Sequence, residues 1–363
     1  MTKCMAGSLG LDGRDGLKVG QGGCWHNAGL TGLEAVSFLG NLVGKPTEIR
    51  RTTMLIATSN QVFSLQDGVP IQRLELDGIR CLDEGEGCAA IGLADGQVVV
   101  LANGRGLPRV TGIEGSVECI AVLNEEPLQI LLGTDPAHLY MLNGDGGPAK
   151  HSASFAGLAC RDGWYTPWGG PPAVRSLARQ GDWVYADIHV GSIMRSPDRG
   201  ATWEPVTPDL HDDVHQVATG PAAGMVYANT ADAVFISPDN GQSWDPRKEG
   251  LPLRYGRALA VHPQDPDCLL ASVSRGPGGD AQGELYYSGD AGGSWTRATA
   301  GFPAAKGNID TFQVAFDGDG TAWAAVEDGI YRSDDKGESW SDFWRAPAAI
   351  VALACYRADS LSS

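Results

Sequence analysis

The chain has 363 residues, 50 of them glycine, with 42% hydrophobic and 20% charged residues. So many glycines beside ten tryptophans point to short elements joined by tight turns, an all-β chain rather than a helical one. The formal charge of −17 excludes a general nucleic-acid binder and docking on an anionic membrane surface, since both need a basic footprint.

Residues 1–50 read as a Gly-rich N-terminal extension, partly disordered, in which only 33–43 has the look of an ordered element. Its start lacks the apolar core and cleavage site of a signal peptide, and no apolar run in the chain approaches the ~18 residues of a membrane span. The eight cysteines are scattered without a CxxC pair. They read as small, mostly buried residues in a reducing, cytoplasmic compartment.

From Met54 onward one unit repeats. Two or three apolar residues are followed by a small one at Ala57, Gly92, Gly133, Ala186, Ala228, Ala271 and Ala324, and each is followed by a second short apolar run. Seven copies of a strand–turn–strand unit at roughly 45-residue intervals predict a single seven-bladed β-propeller over 51–358, with 359–363 as a tail. Ahead of each unit stands a further strand, the innermost: 79–85, 117–123, 174–180, 214–220, 256–262 and 311–317. A seventh copy, 350–356, has no blade of its own to follow. It should complete the blade that begins near Met54 and so close the ring without a free sheet edge.

Four octapeptides punctuate the second half: SPDRGATW (196–203), SPDNGQSW (237–244), SGDAGGSW (288–295) and SDDKGESW (333–340). In each, the Asp side chain can bond backbone N–H groups of its own turn, the Gly supplies a positive φ, and the Trp packs on the sheet. At these residues the sequence resembles the Asp-box, or BNR-repeat, family of β-propellers, which includes sialidases and photosystem assembly factors. The resemblance implies that the box joins the third and fourth strands of a blade on the side away from the ligand face. Asp198, Asp239, Asp290 and Asp335 are therefore structural. The resemblance does not reach the sialidase active site. There is no Arg-Ile-Pro motif, and seven blades stand where sialidases have six, so no catalytic role carries over.

Propellers bind ligands at one mouth of the central channel. One position near the start of the innermost strands reads Arg80, Glu118, Arg175, His215, Arg257, Phe312 and Val351, five of the seven ionisable. The turns leaving the second strands add His189, Arg275 and Glu327. The connection 161–176 carries Trp164, Tyr165 and Trp168, aromatic enough to stack on a ligand. The expected ligand-binding set is Arg80, Glu118, Trp168, Arg175, His189, Arg257 and Arg275, with Asp310, His215 and Glu327 as acid–base candidates.

These residue types point to a small anionic or sugar-like ligand, as an enzyme of hydrolase or lyase type or as a specific binder. Glycoside hydrolysis would need two carboxyls, which Asp310 with Glu118 or Glu327 would supply. The alternatives are a non-catalytic scaffold for protein partners, and a metal-dependent enzyme built on His189 and His215. A metal would need His138, Asp187 or Asp213 as third ligand. No cofactor is expected, and the ligand is expected to be neither a nucleic acid nor a membrane.

Overall fold

The computed structural model describes residues 54–66, 68–278, 280–304 and 313–355. The extension 1–50, Asp310, Phe312 and the tail 359–363 lie outside the described residues. Among the described residues, 28 strands form seven four-stranded antiparallel sheets, the blades of a β-propeller. Blade 1 is completed by Ile350–Ala354, whose Leu353 and Ala354 pair with Ile56 and Leu55. The last strand thus becomes the innermost strand of the first blade, the closure that the seventh innermost copy predicts. None of the described helices is long and apolar enough to cross a membrane.

Seven apolar clusters lie between the blades, one at each blade-to-blade contact. This explains the recurring small residue. A Cβ built on Gly92 would come within 2.6 Å of the Cys81 sulfur and 2.7 Å of Val117 in the next blade. Gly133 meets Cys119 and Val174 in the same way, at 2.5 and 2.7 Å. The second strand of each blade is where the neighbour's innermost strand packs down, and only a minimal side chain fits. Cys81 and Cys119 are free thiols in these contacts and behave as small apolar groups.

All four boxes fold alike. In the first, the Ser196 and Thr202 hydroxyls and the Thr202 N–H donate to the Asp198 carboxylate at 2.7–2.9 Å, and the Gly200 N–H donates to Ser196 Oγ at 2.7 Å. Positive φ falls on two successive residues, Arg199 (57°) and Gly200 (88°), one more than the motif suggests. The tryptophans Trp203, Trp244, Trp295 and Trp340 are buried, each in the cluster shared with the preceding blade. A box therefore ties the rim of its own blade and fills the contact with the one before. Blade 2 uses a tight Asn103-Gly104 turn instead, with both residues at positive φ.

Candidate functional site

The innermost strands do not run straight. Each of those in blades 1–6 carries a β-bulge, and the extra residue is the one in the ionisable column. Val174 pairs with Ile188 and Ser176 with Asp187, which leaves Arg175 unopposed. The same interruption isolates Arg80, Glu118, His215 and Val351, and falls at Arg257-Ala258 in blade 6. A bulge re-aims one side chain without breaking the strand. Arg80, Glu118, Arg175 and Arg257 line a central channel with a cavity of about 810 Å³, joined by Trp168 and His189.

Two arcs of this mouth differ in charge. In blades 2 and 3, Arg80 Nε lies 3.5 Å from Glu118 Oε1, and Ser116 donates to the same oxygen at 2.5 Å. Asp135 also lines this arc, its carboxyl raised by burial and then by the Glu118 charge. Two carboxylates face one guanidinium there.

Blades 4–6 hold the denser cluster. Burial pulls the Arg175 guanidinium below its ordinary range, and the nearby Arg257 charge adds to that. Arg175 Nη1 is buried with no hydrogen-bond partner among the described residues. Behind the wall lie two acids coupled to Arg175: Asp213, which supplies counter-charge, and Asp187. Asp187 is fully buried, accepts from the Ser176 hydroxyl at 2.6 Å, and is pushed up to about 7 by desolvation. Ser176 Oγ in turn accepts from Val217 N in blade 5 at 2.9 Å, so the carboxyl is tied across the blade contact. For Asp213, burial works upward, but the contact with His215 and the charge of Arg175 hold it low.

His189 is 6% exposed and pushed down to about 4, first by desolvation and then by the Arg175 charge. It is a neutral imidazole in the channel wall, and its Nε2 has no hydrogen-bond partner among the described residues. The Trp168 ring leans over it, centroids 4.8 Å apart.

His215 behaves differently from expectation. Its side chain is fully shielded. Nδ1 donates to Gly256 O, and Nε2 lies 3.1 Å from Asp213 Oδ1. The Tyr255 ring covers it at 4.6 Å and also carries the Arg257 guanidinium at 5.1 Å. His215 borders the cavity, but its side chain is fully shielded, so it supports the wall and does not offer an exposed ring nitrogen for acid–base work.

Glu327 sits exposed in a turn with φ 56°, and Arg275 is exposed after its strand; neither lines the channel. In blade 4, by contrast, the 161–173 connection folds over the turn, with Tyr165 N donating to Val190 O, His189 N donating to Ala173 O and Trp168 against the His189 ring, and His189 is buried. Within that connection Trp164 packs on Phe155 at 5.5 Å and under Arg161 at 4.6 Å, so it is an anchor and does not offer a ligand surface. His138 contacts His151 at 3.1 Å beside Tyr140 in blade 3. Among the described residues no three His, Cys, Asp or Glu side chains come together as a metal site. Asp187 and Asp213, weighed from the sequence only as metal ligands, are instead the acids coupled to Arg175; the signal for Asp187 was an acid inside the apolar strand Trp183–Ile188.

Comparison with known proteins bears out the Asp-box propeller resemblance. The Sortilin-Vps10 family (sortilin, neurotensin receptor 3) matches residues 191–306, about a third of the chain. No curated protein matches by sequence. Among solved structures, a GH74 xyloglucanase from Xanthomonas campestris superposes with a TM-score of 0.56 at 18% identity, over 84% of this chain and 54% of its own. A protein from Bacteroides fragilis described as a candidate 6-phosphogluconolactonase gives 0.54 at 12%, over 85% and 99%. YCF48 bound to D1 peptide gives 0.50 at 13%, over 80% and 86%. The chain spans about half the length of the GH74 proteins it matches. At these identities the likeness is one of fold, and the fold serves enzymes and non-catalytic proteins alike.

Proposed function

We propose that this propeller binds a small anionic ligand, a carboxylate or a phosphate ester, at the blade 4–6 side of the channel mouth. One observation carries the reading. Arg175 is aimed by a bulge into the cavity, yet its Nη1 is buried and unpaired among the described residues, beside a neutral and equally unpaired His189. A buried donor without a partner costs on the order of 1–3 kcal/mol, and a bidentate anion would recover it. The cavity of about 810 Å³ suits a small molecule. Binding is favoured over catalysis, because an imidazole held at about 4 is a weak base near neutrality.

Hydrolysis is the second reading. It rests on Asp135, held above the ordinary carboxylate range beside Glu118 in the same channel, since an environment that pushes one of two neighbouring carboxyls upward suits an acid–base pair. A protein partner, as YCF48 has in its D1 peptide complex, is the remaining alternative.

The test is calorimetric titration with acetate, succinate, inorganic phosphate and glycerol 3-phosphate, for the native protein and for Arg175→Gln and Arg257→Gln. At least one anion should bind, and each substitution should weaken it by tenfold or more. Neither substitution should unfold the protein, because loss of Arg175 lets Asp187 keep its proton. If none of these anions binds, or the substitutions leave affinity unchanged, the reading is wrong.

A further inference from the structure

Trp168 is 64% exposed, an unusual placement for an indole. Its position is built. The Thr166 hydroxyl donates to Gly169 O at 2.7 Å and to Gly170 O at 3.1 Å, and the Gly169 N–H returns to Thr166 O at 3.0 Å. Gly169 (φ 83°) and Gly170 (φ 95°) take a backbone that other residues rarely adopt. With Trp164 anchored in the core, the turn holds Trp168 up at the channel mouth, one side against His189.

The rest of the indole faces a second opening, of about 510 Å³, lined by Trp168, Arg175, Arg257, Pro277 and Gly278. The side chains of this lining are apolar or hydrogen-bond donors; none is an acceptor. A sugar ring would bring several hydroxyl donors with no side chain to receive them. A flat ring bearing one anionic group needs only what is present: guanidinium donors for the anion and an aromatic face for the ring. An exposed tryptophan alone would not define a site. The independent sign is His189, 94% buried in the wall under this indole, with Nε2 unpartnered among the described residues.

We propose that the ligand of this site is an aromatic anion, its ring on Trp168 and its carboxylate or phosphate on Arg175 and Arg257. The inference rests on the anion-binding reading and narrows it. Stacking on the indole together with burial of the ring should add about tenfold in affinity.

The experiment is calorimetry on the full chain with acetate, benzoate, cyclohexanecarboxylate, glucuronate, inorganic phosphate and phenyl phosphate. The acetate–benzoate and phosphate–phenyl phosphate pairs tell carboxylate from phosphate ligands. Expected is a margin of about tenfold for the aromatic member of at least one pair, and for benzoate over cyclohexanecarboxylate if the ligand is a carboxylate. Trp168→Ala should abolish the margin and leave acetate or phosphate within twofold, while Trp168→Phe should keep most of it. The proposal is overturned if glucuronate binds as tightly as benzoate and phenyl phosphate, if no aromatic margin exists, or if the margin survives Trp168→Ala. The two readings fail separately. If Arg175→Gln weakens every anion while Trp168→Ala changes nothing, only the aromatic inference falls; if Arg175→Gln changes nothing, both fall.

Discussion

Asp239→Ala tests whether the boxes are structural. The Asp239 carboxylate accepts from the Ser237 hydroxyl at 2.8 Å, Gln242 N at 2.9 Å, Ser243 N at 2.8 Å and the Ser243 hydroxyl at 2.7 Å. Alanine removes all four acceptor contacts. The donors lie at the surface, so water replaces part of the loss, and the expected cost is roughly 1–3 kcal/mol. In a propeller of this size that lowers Tm by roughly 2–6 °C. Burial works to raise the Asp239 carboxyl, but the donors from Ser243 and Ser237 outweigh it and hold it below 3.8. The fold thus prefers the ionised form. Its stabilisation is complete above pH 3.8 and is lost as pH falls through the depressed folded value. The gap in Tm between native and variant protein should therefore be full at pH 7 and shrink toward pH 2–3. Thermal melts at several pH values, with an anion titration at pH 7, are the assay. A variant that melts like the native protein but no longer binds anions would refute the structural role, and so would a gap that ignores pH.

Two further outcomes follow from the closure and the buried acid. Ending the chain after Ala349 removes the strand that buries Ile350, Ala352 and Ala354 in blade 1. The lost burial and ladder bonds exceed about 5 kcal/mol, a large share of an ordinary stability of about 5–15 kcal/mol, so near-UV circular dichroism should show no cooperative melt; an unchanged melt would mean the ring does not depend on that strand. Asp187 keeps its proton in the fold up to about 7, whereas the unfolded chain releases it near 3.8, so this contribution to stability falls as pH rises between those values, by about 4 kcal/mol at most. Asp187→Asn should therefore gain on the native protein from pH 5 to pH 8 in urea unfolding, against an opposite slope from His189, whose neutral state in the fold favours stability as pH rises from 4 to 6.5; a pH-independent difference would show that Asp187 is ionised throughout.

Sequence alone determined the propeller, its seven blades, its closure and the boxes, because each rests on local chemistry repeated at a fixed interval. A Ser-x-Asp-x-Gly turn makes its own hydrogen bonds within eight residues, and the small-residue column records a contact that every blade repeats with its neighbour. The column of Arg80, Glu118, Arg175, His215 and Arg257 was legible for the same reason, since one bulge places each of them. What those side chains do at the mouth was decided by tertiary structure. His215 and Arg175 hold equivalent positions, yet Tyr255 and Gly256 of the next blade seal the first, while the second keeps a buried nitrogen unpaired among the described residues. Trp164 and Trp168 stand four residues apart in one loop, and only the packing of Phe155 and Arg161 makes the first an anchor and leaves the second at the channel mouth. Repetition writes the blade into the sequence; which ionisable groups are sealed and which face the cavity depends on neighbours from other blades, and that proximity leaves no periodic mark along the chain.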